Sequence, residues 1–537
     1  MSSARRHPLA IELAAARTIS LSPQQIASYL DQRLRILTVG DRTALPHHQT
    51  LRATIDWSYQ LLNPSERTLF HRLSIFGSSF SLEAAQEICT DTRLAPIDVI
   101  DLLPALVEES LVTVDHAPTA TRYRLLETIS EYASEQLANA EETAPLQRSH
   151  GSYYLHLAEE AEPNLRTAKQ HETAEMFEIE HDNFRQALRW AVDRRQTETA
   201  YRLTGALCRF WSDKFHTVEG LQWLAAVLDL DGPVDDSIRA KVLQGAGALA
   251  SDQADQTKAI SYMEEAVEIY RRFASDGGSQ LELGAVLHNL ARVFHYQQGD
   301  LNRAEPLYQE ALGIFRHYNQ WGVALALGNL SFLAVHKGDM KMAQDFNSEH
   351  LRIANELGPL QLGMAYDASA AFHMASGDIE RAIEDLNLAA QHYEGVGHHA
   401  GGCLMRVQLA AAHLESGNLE AACDLFIPNA RDVLTDPEYE ARLGHIAELA
   451  VLRMGLDLAV HKPERAAILL GAIDSLLGEG ASVLSRIKIL DHYREKIDRL
   501  LDREILENGL ARGATMTREE VRSFITEPIS PKAGVSN

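Results

Sequence analysis

Three histidines recur at one place in a repeating pattern: His295, His373 and His413 each stand four residues before a glycine. A row of imidazoles on stacked helices could hold a divalent metal or change charge near neutral pH. The same phase suits a ring packed between helices, and regular spacing by itself favours packing. His181-Asp182-Asn183-Phe184 offers another histidine–carboxylate pair. No second pair stands at metal-ligand spacing, so this run reads as a solvated helix face and no metal is expected. Phosphate chemistry is poorly supported too. There is no G-x-x-x-x-G-K-[ST] run and no Gly-Lys dipeptide, so no glycine-rich loop with its lysine can hold phosphates. A stretch resembling a Walker B, Leu224 to Asp229, reads better as the end of a helix. H-E-x-x-H and G-x-S-x-G are absent, and the expectation is no catalysis and no cofactor.

The element that must position any binding residue is a repeat from about Gly245 to Pro428. Gly299-Asp300, Gly338-Asp339, Gly377-Asp378 and Gly417-Asn418 recur every 39 to 40 residues. Each glycine is set to end a helix in a left-handed cap, and the following Asp or Asn to cap the next helix. Five positions on stand Ala304, Ala343, Ala382 and Ala422. Nine positions on, Tyr308, Leu386 and Phe426 fill the seam, the second unit being slipped by one at Phe346. A fainter copy reads Ala254-Asp255, Ala259, Met263, Ala266. One helical hairpin cannot bury its apolar face alone, so such hairpins stack. The pattern resembles the tetratricopeptide class with longer connections. In that architecture the first helices line the concave face, which makes Asn289 and Asn329 candidate partner-binding residues.

Composition sets outer bounds. The 537 residues suit three or four domains, and 45% apolar content permits real cores. With 75 acidic and 50 basic side chains, the formal charge of −25 disfavours nucleic acid and anionic lipid unless a basic patch intervenes. Four scattered cysteines fit a reducing compartment and no disulfide scaffold. Glu12 and Arg17 interrupt the N-terminal apolar run, which reads as an amphipathic helix. The expected location is the cytoplasm.

Residues 50–142 read as a compact unit. Thr50 is placed to cap a first helix, Asn63-Pro64-Ser65-Glu66 opens a second, and Ser81 caps a third. Asp98–Glu109 is a fourth, with Pro104 expected to kink it. Two short β-prone runs, Leu111–Val114 and Tyr123–Leu126, read as a hairpin, and helices followed by a hairpin suggest a winged helix. Between Leu51 and Ala140 there are six basic and thirteen acidic side chains. The candidate recognition helix Asp98–Glu109 has no lysine or arginine, so direct DNA contact is not expected. Helices are expected over 144–162, 174–194 and 199–215, followed by a break at Gly232-Pro233.

Four phrases, LRATIDWSYQLL, RLSIFGSSFSLEAAQEIC, YRLLETISEYA and EHDNFRQALRWAV, carry a more specific resemblance. In this order they resemble the C-terminal half of the STAND class of P-loop NTPases, nearest to bacterial, especially actinobacterial, transcriptional regulators of the AfsR and LuxR-like kind. That resemblance implies a lid, a winged helix and a tetratricopeptide sensor. HPLAIELAAAR resembles the lid's Gly-x-Pro motif. Pro8 matches as a vestigial nucleotide-side position, with Arg6 where the glycine usually stands. Leu125, Leu126 and Glu127 stand where related switches carry Met-His-Asp, and Leu126 has no group with which to sense a phosphate.

The expected fold is therefore mostly α: a winged-helix domain with a small β-hairpin, then an α-solenoid of tetratricopeptide-like helical hairpins. The expected domains are a lid remnant (1–48), the winged helix (49–142), a helical linker (143–235), the solenoid (236–460), capping helices (461–527) and a disordered tail (528–537). The expected function is non-catalytic regulation of signal transduction. The solenoid would bind a protein segment or small effector and the winged helix would relay it, with a separate NTPase or DNA-binding protein as a further partner. The alternatives are a DNA-binding regulator acting through the winged helix, and a signalling ATPase whose NTPase domain lies upstream of Met1.

Overall fold

The computed structural model describes residues 46–116, 121–166, 169–214, 216–253, 255–273, 277–435, 443–477 and 484–529. Pro8 and most of the expected lid lie outside these residues, as do Ala254 and residues 530–537 of the expected tail. Among the described residues the fold is helical with one two-stranded hairpin, and the chain divides into two compact units, the first up to Phe210 with Ala225–Val234, the second Trp211–Leu224 with the chain from Asp235 on.

The first unit begins with α1 (Pro46–Leu61), α2 (Pro64–Leu73), α3 (Leu82–Ile88) and α4 (Pro96–Glu108). Helix α1 starts four residues before Thr50, so Thr50 is not its cap. Asn63 and Glu66 form a reciprocal capping box on α2, and the Ser81 hydroxyl accepts the Ala84 N–H on α3. Helix α4 runs on through Pro104, burying Val99, Leu103 and Leu106. Strands β1 (Thr113–His116) and β2 (Thr121–Arg124) pair antiparallel. Phe80 joins this hairpin through two backbone bonds to Tyr123, of 2.8 and 2.9 Å.

Helices α5 (Glu127–Asn139), α6 (Thr143–Ala161), α7 (Gln170–Ile179) and α8 (His181–Asp193) follow. The single helix expected over 174–194 is thus two, broken at Glu180. The buried Glu180 carboxylate accepts from Arg122 of the hairpin, from Tyr154 Oη at 3.1 Å and from Asn183 Nδ2 at 2.7 Å. Asn183 also accepts the Gly77 N–H at 2.9 Å and donates to the Ser79 carbonyl at 2.9 Å. His181 and Asn183 are buried, so only Asp182 lies on the solvated face expected for that run. Helices α9 (Thr197–Asp213) and α10 (Thr217–Leu228) cross the unit boundary, and Leu224–Asp229 is indeed a helix end.

In the second unit helices pair in order: α11 (Asp236–Asp252) with α12 (Gln256–Arg272), α13 (Gly277–Arg292) with α14 (Leu301–Tyr318), and α15 (Gln320–Lys337) with α16 (Met340–Leu357). Then α17 (Pro359–Ser376) pairs with α18 (Ile379–Gly395), and α19 (His399–Glu415) with α20 (Leu419–Thr435). Gly299, Gly338, Gly377 and Gly417 all sit at φ between +73° and +81°. The carboxylates of Asp300, Asp339 and Asp378 accept the backbone N–H three residues on. Gly338→Ala forces a side chain into the left-handed region and is expected to destabilise by about 1 kcal/mol, measurable as a lower thermal midpoint.

Ala304, Ala343, Ala382 and Ala422 are fully buried, as are Tyr308, Leu386 and Phe426. The second unit is not slipped. Asn347, nine positions after Gly338, takes the buried site and Phe346 is half-exposed. The Asn347 Oδ1 has no hydrogen-bond partner. Asn347→Leu is therefore expected to stabilise the protein by about 1 kcal/mol, since it removes a desolvated orphan acceptor. Denaturant unfolding checks this; a midpoint below wild type contradicts it.

The stack is closed by α21 (Leu443–Ala459), α22 (Pro463–Leu477), α23 (Leu484–Leu500), α24 (Arg503–Ala514) and α25 (Arg518–Ile525). Gly513 permits α22 and α24 to touch: a Cβ there would meet the Ile468 carbonyl at 1.9 Å. Thr517 and Glu520 form a capping box on α25.

Candidate functional site

The first helices of successive pairs, α11, α13, α15 and α17, lie against one another. The contact is close between α15 and α17 and slight between the others, and the first helices are the inner wall, as in stacked helical hairpins of this kind. Helices α13, α15, α17 and α19 present a stripe of incompletely buried side chains at helical spacing: Asn289, Arg292 and Tyr296 from α13 and the turn after it; Leu325, Asn329 and Phe332 from α15; Met364 and Asp367 from α17; Leu404 and Gln408 from α19.

Hydrogen bonds cross from helix to helix along this wall. The Tyr296 hydroxyl donates to Asn329 Oδ1 at 2.9 Å. Asn329 Nδ2 bonds His288 Nε2 at 3.0 Å and the Leu325 carbonyl at 3.0 Å. Burial lowers the His288 pKa to about 3, which keeps the ring neutral and able to accept. Asn289, next to His288 in the chain, acts to raise that pKa, against the larger effect of burial. Gln408 on the next first helix stands beside Asp367 and holds its pKa down a little. Burial pushes the Asp367 carboxyl up to about 7, and its Oδ1 has no partner. Burial raises the Tyr296 hydroxyl's pKa as well; the Arg292 charge opposes this and the Asp367 charge adds to it. Tyr296 nevertheless remains 37% exposed, as a side chain on a concave surface can be. Both asparagines singled out in the sequence thus stand on this wall. Arg292, Tyr296, Asp367 and Gln408 stand in the same stripe, but their burial and their neighbours on other helices leave no mark in the sequence.

The histidine row does not converge. His295 Nε2 lies 2.8 Å from His336 Nδ1, its ring stacks on Tyr296 at 4.1 Å, and burial and then the His336 charge lower its pKa to about 3. His373 Nδ1 lies instead 2.8 Å from Asp385 Oδ2 in its own hairpin. A π-helical turn, Val293–Gln298, moves His295 one residue out of phase with the later units.

The winged-helix region uses its cations internally. Arg52 pairs with Glu135, Arg67 donates to the Tyr59 and Gln60 carbonyls, and Arg72 and Arg93 both pair with Asp91 and Glu142. Arg122 holds Glu180 and the Ser79 carbonyl, and Arg124 donates to the Thr113 hydroxyl. These are all six basic residues of 51–140. Helix α4 exposes Ile97 and Ile100 among carboxylates and has no basic residue. Among the described residues no helix is long and apolar enough to cross a membrane.

The tetratricopeptide repeat family matches residues 282–356. The stack is a tetratricopeptide-like solenoid. A Mycobacterium tuberculosis protein named an HTH-type transcriptional regulator is 39% identical over 249 residues, covering 45% of this chain and 28% of that protein. The regulatory protein AfsR of Streptomyces coelicolor is 27% identical over 385 residues, covering 65% of this chain and 37% of AfsR. The matches thus span between about a quarter and two fifths of these relatives. A STAND ATPase with a tetratricopeptide repeat sensor from Pyrococcus horikoshii shares the fold at a TM-score of 0.51 and 16% identity, covering 94% of this chain and 74% of that one.

Proposed function

We propose that the protein is a non-catalytic regulatory component, related to transcriptional regulators, whose solenoid binds a protein segment along its inner wall. The observation that carries this reading is the polar stripe of the inner wall: Tyr296 and His288 are bonded to Asn329 across α13 and α15, and Asn289, Asp367 and Gln408 continue the stripe on α13, α17 and α19. Amides and a hydroxyl along the inner helices suit the repeating N–H and C=O groups of an extended chain. The Glu180–Asn183–Arg122 network ties the hairpin of the winged helix to α6 and α8, and would pass a change in those helices to it as one body.

The winged helix acts in this reading as a relay that does not touch DNA. Binding phosphates would require its arginines to leave carboxylates and carbonyls they already hold. An electrophoretic shift at low salt tests this, and sequence-preferring retention contradicts it. The binding reading is tested by affinity purification of the full chain from its native cells, wild type beside Asn329→Arg, with quantitative mass spectrometry. Proteins retained by wild type and lost from the variant are expected. Identical sets of retained proteins contradict the reading.

A further inference from the structure

The inner wall carries polar groups along its whole length, but its charges are placed unevenly. Arg292 stands on α13, and Asp367 stands two first helices further on. Asp367 makes no ion pair among the described residues, and its neighbour on the next first helix is the neutral Gln408. We infer, resting on the inner-wall reading above, that the bound segment carries a lysine or arginine whose cationic head docks on Asp367 while its stem lies over Met364 and Leu404.

Three observations support this. The first is the incomplete coordination of the acid. Its Oδ1 is buried with no hydrogen bond, and a carboxyl turns readily about its last torsion to meet a new donor. A desolvated carboxyl without a cation is in the state that an incoming cation would complete, because charge-assisted bonds are strongest where water is scarce. The second is the flanking surface. Met364 and Leu404 are half-buried and pack on the same apolar cluster of Leu386, Ala389 and Met405. Long basic side chains lay their methylene stems on such surfaces and keep the head on the polar group beyond them. The third is the field around the site: residues 236–460 carry 16 basic and 30 acidic side chains. That excess draws a cationic segment towards the solenoid before contact. Arg292 opposes a uniformly basic segment, so the geometry asks for one basic residue near α17 and a neutral or acidic one near α13.

The test is selection from a random dodecapeptide phage library against the intact protein, followed by fluorescence-polarisation affinities of the recovered peptides. Peptides from wild type are expected to be enriched in lysine or arginine at one position. Asp367→Asn should weaken them at least tenfold while remaining folded by circular dichroism. Norleucine in place of the peptide's lysine should cost the same factor and add nothing further in Asp367→Asn. Peptides that lose affinity in Asn329→Ala yet show no basic enrichment, or no loss in Asp367→Asn, overturn the cation assignment and leave the inner wall as the binding face. Failure of wild type to select any peptide sensitive to Asn329→Ala overturns the inner-wall reading and this inference with it.

Discussion

Arg453→Ala is expected to unfold the C-terminal end of the second unit, at a cost of about 3–5 kcal/mol. Arg453 on α21 is fully buried. Its Nε contacts Asp457 Oδ2 at 3.1 Å, and its Nη1 donates to the Ile525 carbonyl at 2.7 Å and the Glu527 carbonyl at 2.5 Å. Arg465 on α22 completes the group, meeting Asp457 Oδ1 at 3.5 Å and Glu527 Oε2 at 2.6 Å. One guanidinium therefore neutralises a buried carboxylate and satisfies two carbonyls at the end of α25. Removing it leaves both carbonyls unpaired and Asp457 with only the longer contact to Arg465, and opens a cavity. Arg453→Met with Asp457→Leu removes both charges and should recover much of the loss. Denaturant unfolding of the full chain, followed by hydrogen exchange across 443–529, locates the effect. An Arg453→Ala midpoint equal to wild type would contradict it.

Asp367→Asn is expected to stabilise the protein above neutral pH, by an amount on the order of 2–4 kcal/mol. The usual carboxyl value is 3.8, and burial raises this one to about 7 in the folded chain. Between those values the unfolded chain has lost the proton and the folded chain keeps it. Stability supplied by the protonated form is complete below the unfolded value and is lost as pH rises through the folded value. Asparagine has no such titration. Variant and wild type should match near pH 4 and separate progressively to about pH 8. A constant difference across that range would contradict the buried carboxyl. A wall residue that lowers stability at neutral pH is what a binding function retained at a stability cost would produce.

The repeat was readable because its signals are local. A glycine at positive φ, a cap after it and an alanine five positions on are set by backbone sterics within one turn, and all four units keep them. The hairpin and most helix starts were readable for the same reason. The break at Glu180 was not, because its cause is distant: Arg122, Tyr154 and Ser79 come from other elements. The apolar Phe346 points to a slipped seam in the sequence, but apolarity is not what marks this seam position: the fold buries the polar Asn347 there. Of the candidate site, two asparagines were legible from the first-helix phase. Asp367 and Tyr296 stand in the same stripe, but what distinguishes them is burial and neighbours from α13, α15 and α19, which no periodicity encodes.

Photo-cross-linking addresses the central proposition most directly. Benzoylphenylalanine is placed in the full chain at the half-buried Phe332 on the inner wall, where it extends a phenyl ring already present, and separately at the exposed Glu310 on α14. Irradiation in native cells is expected to capture a partner from position 332 and not from position 310. Capture of the same partner from position 310 with none from 332 would place recognition on the second helices and contradict it.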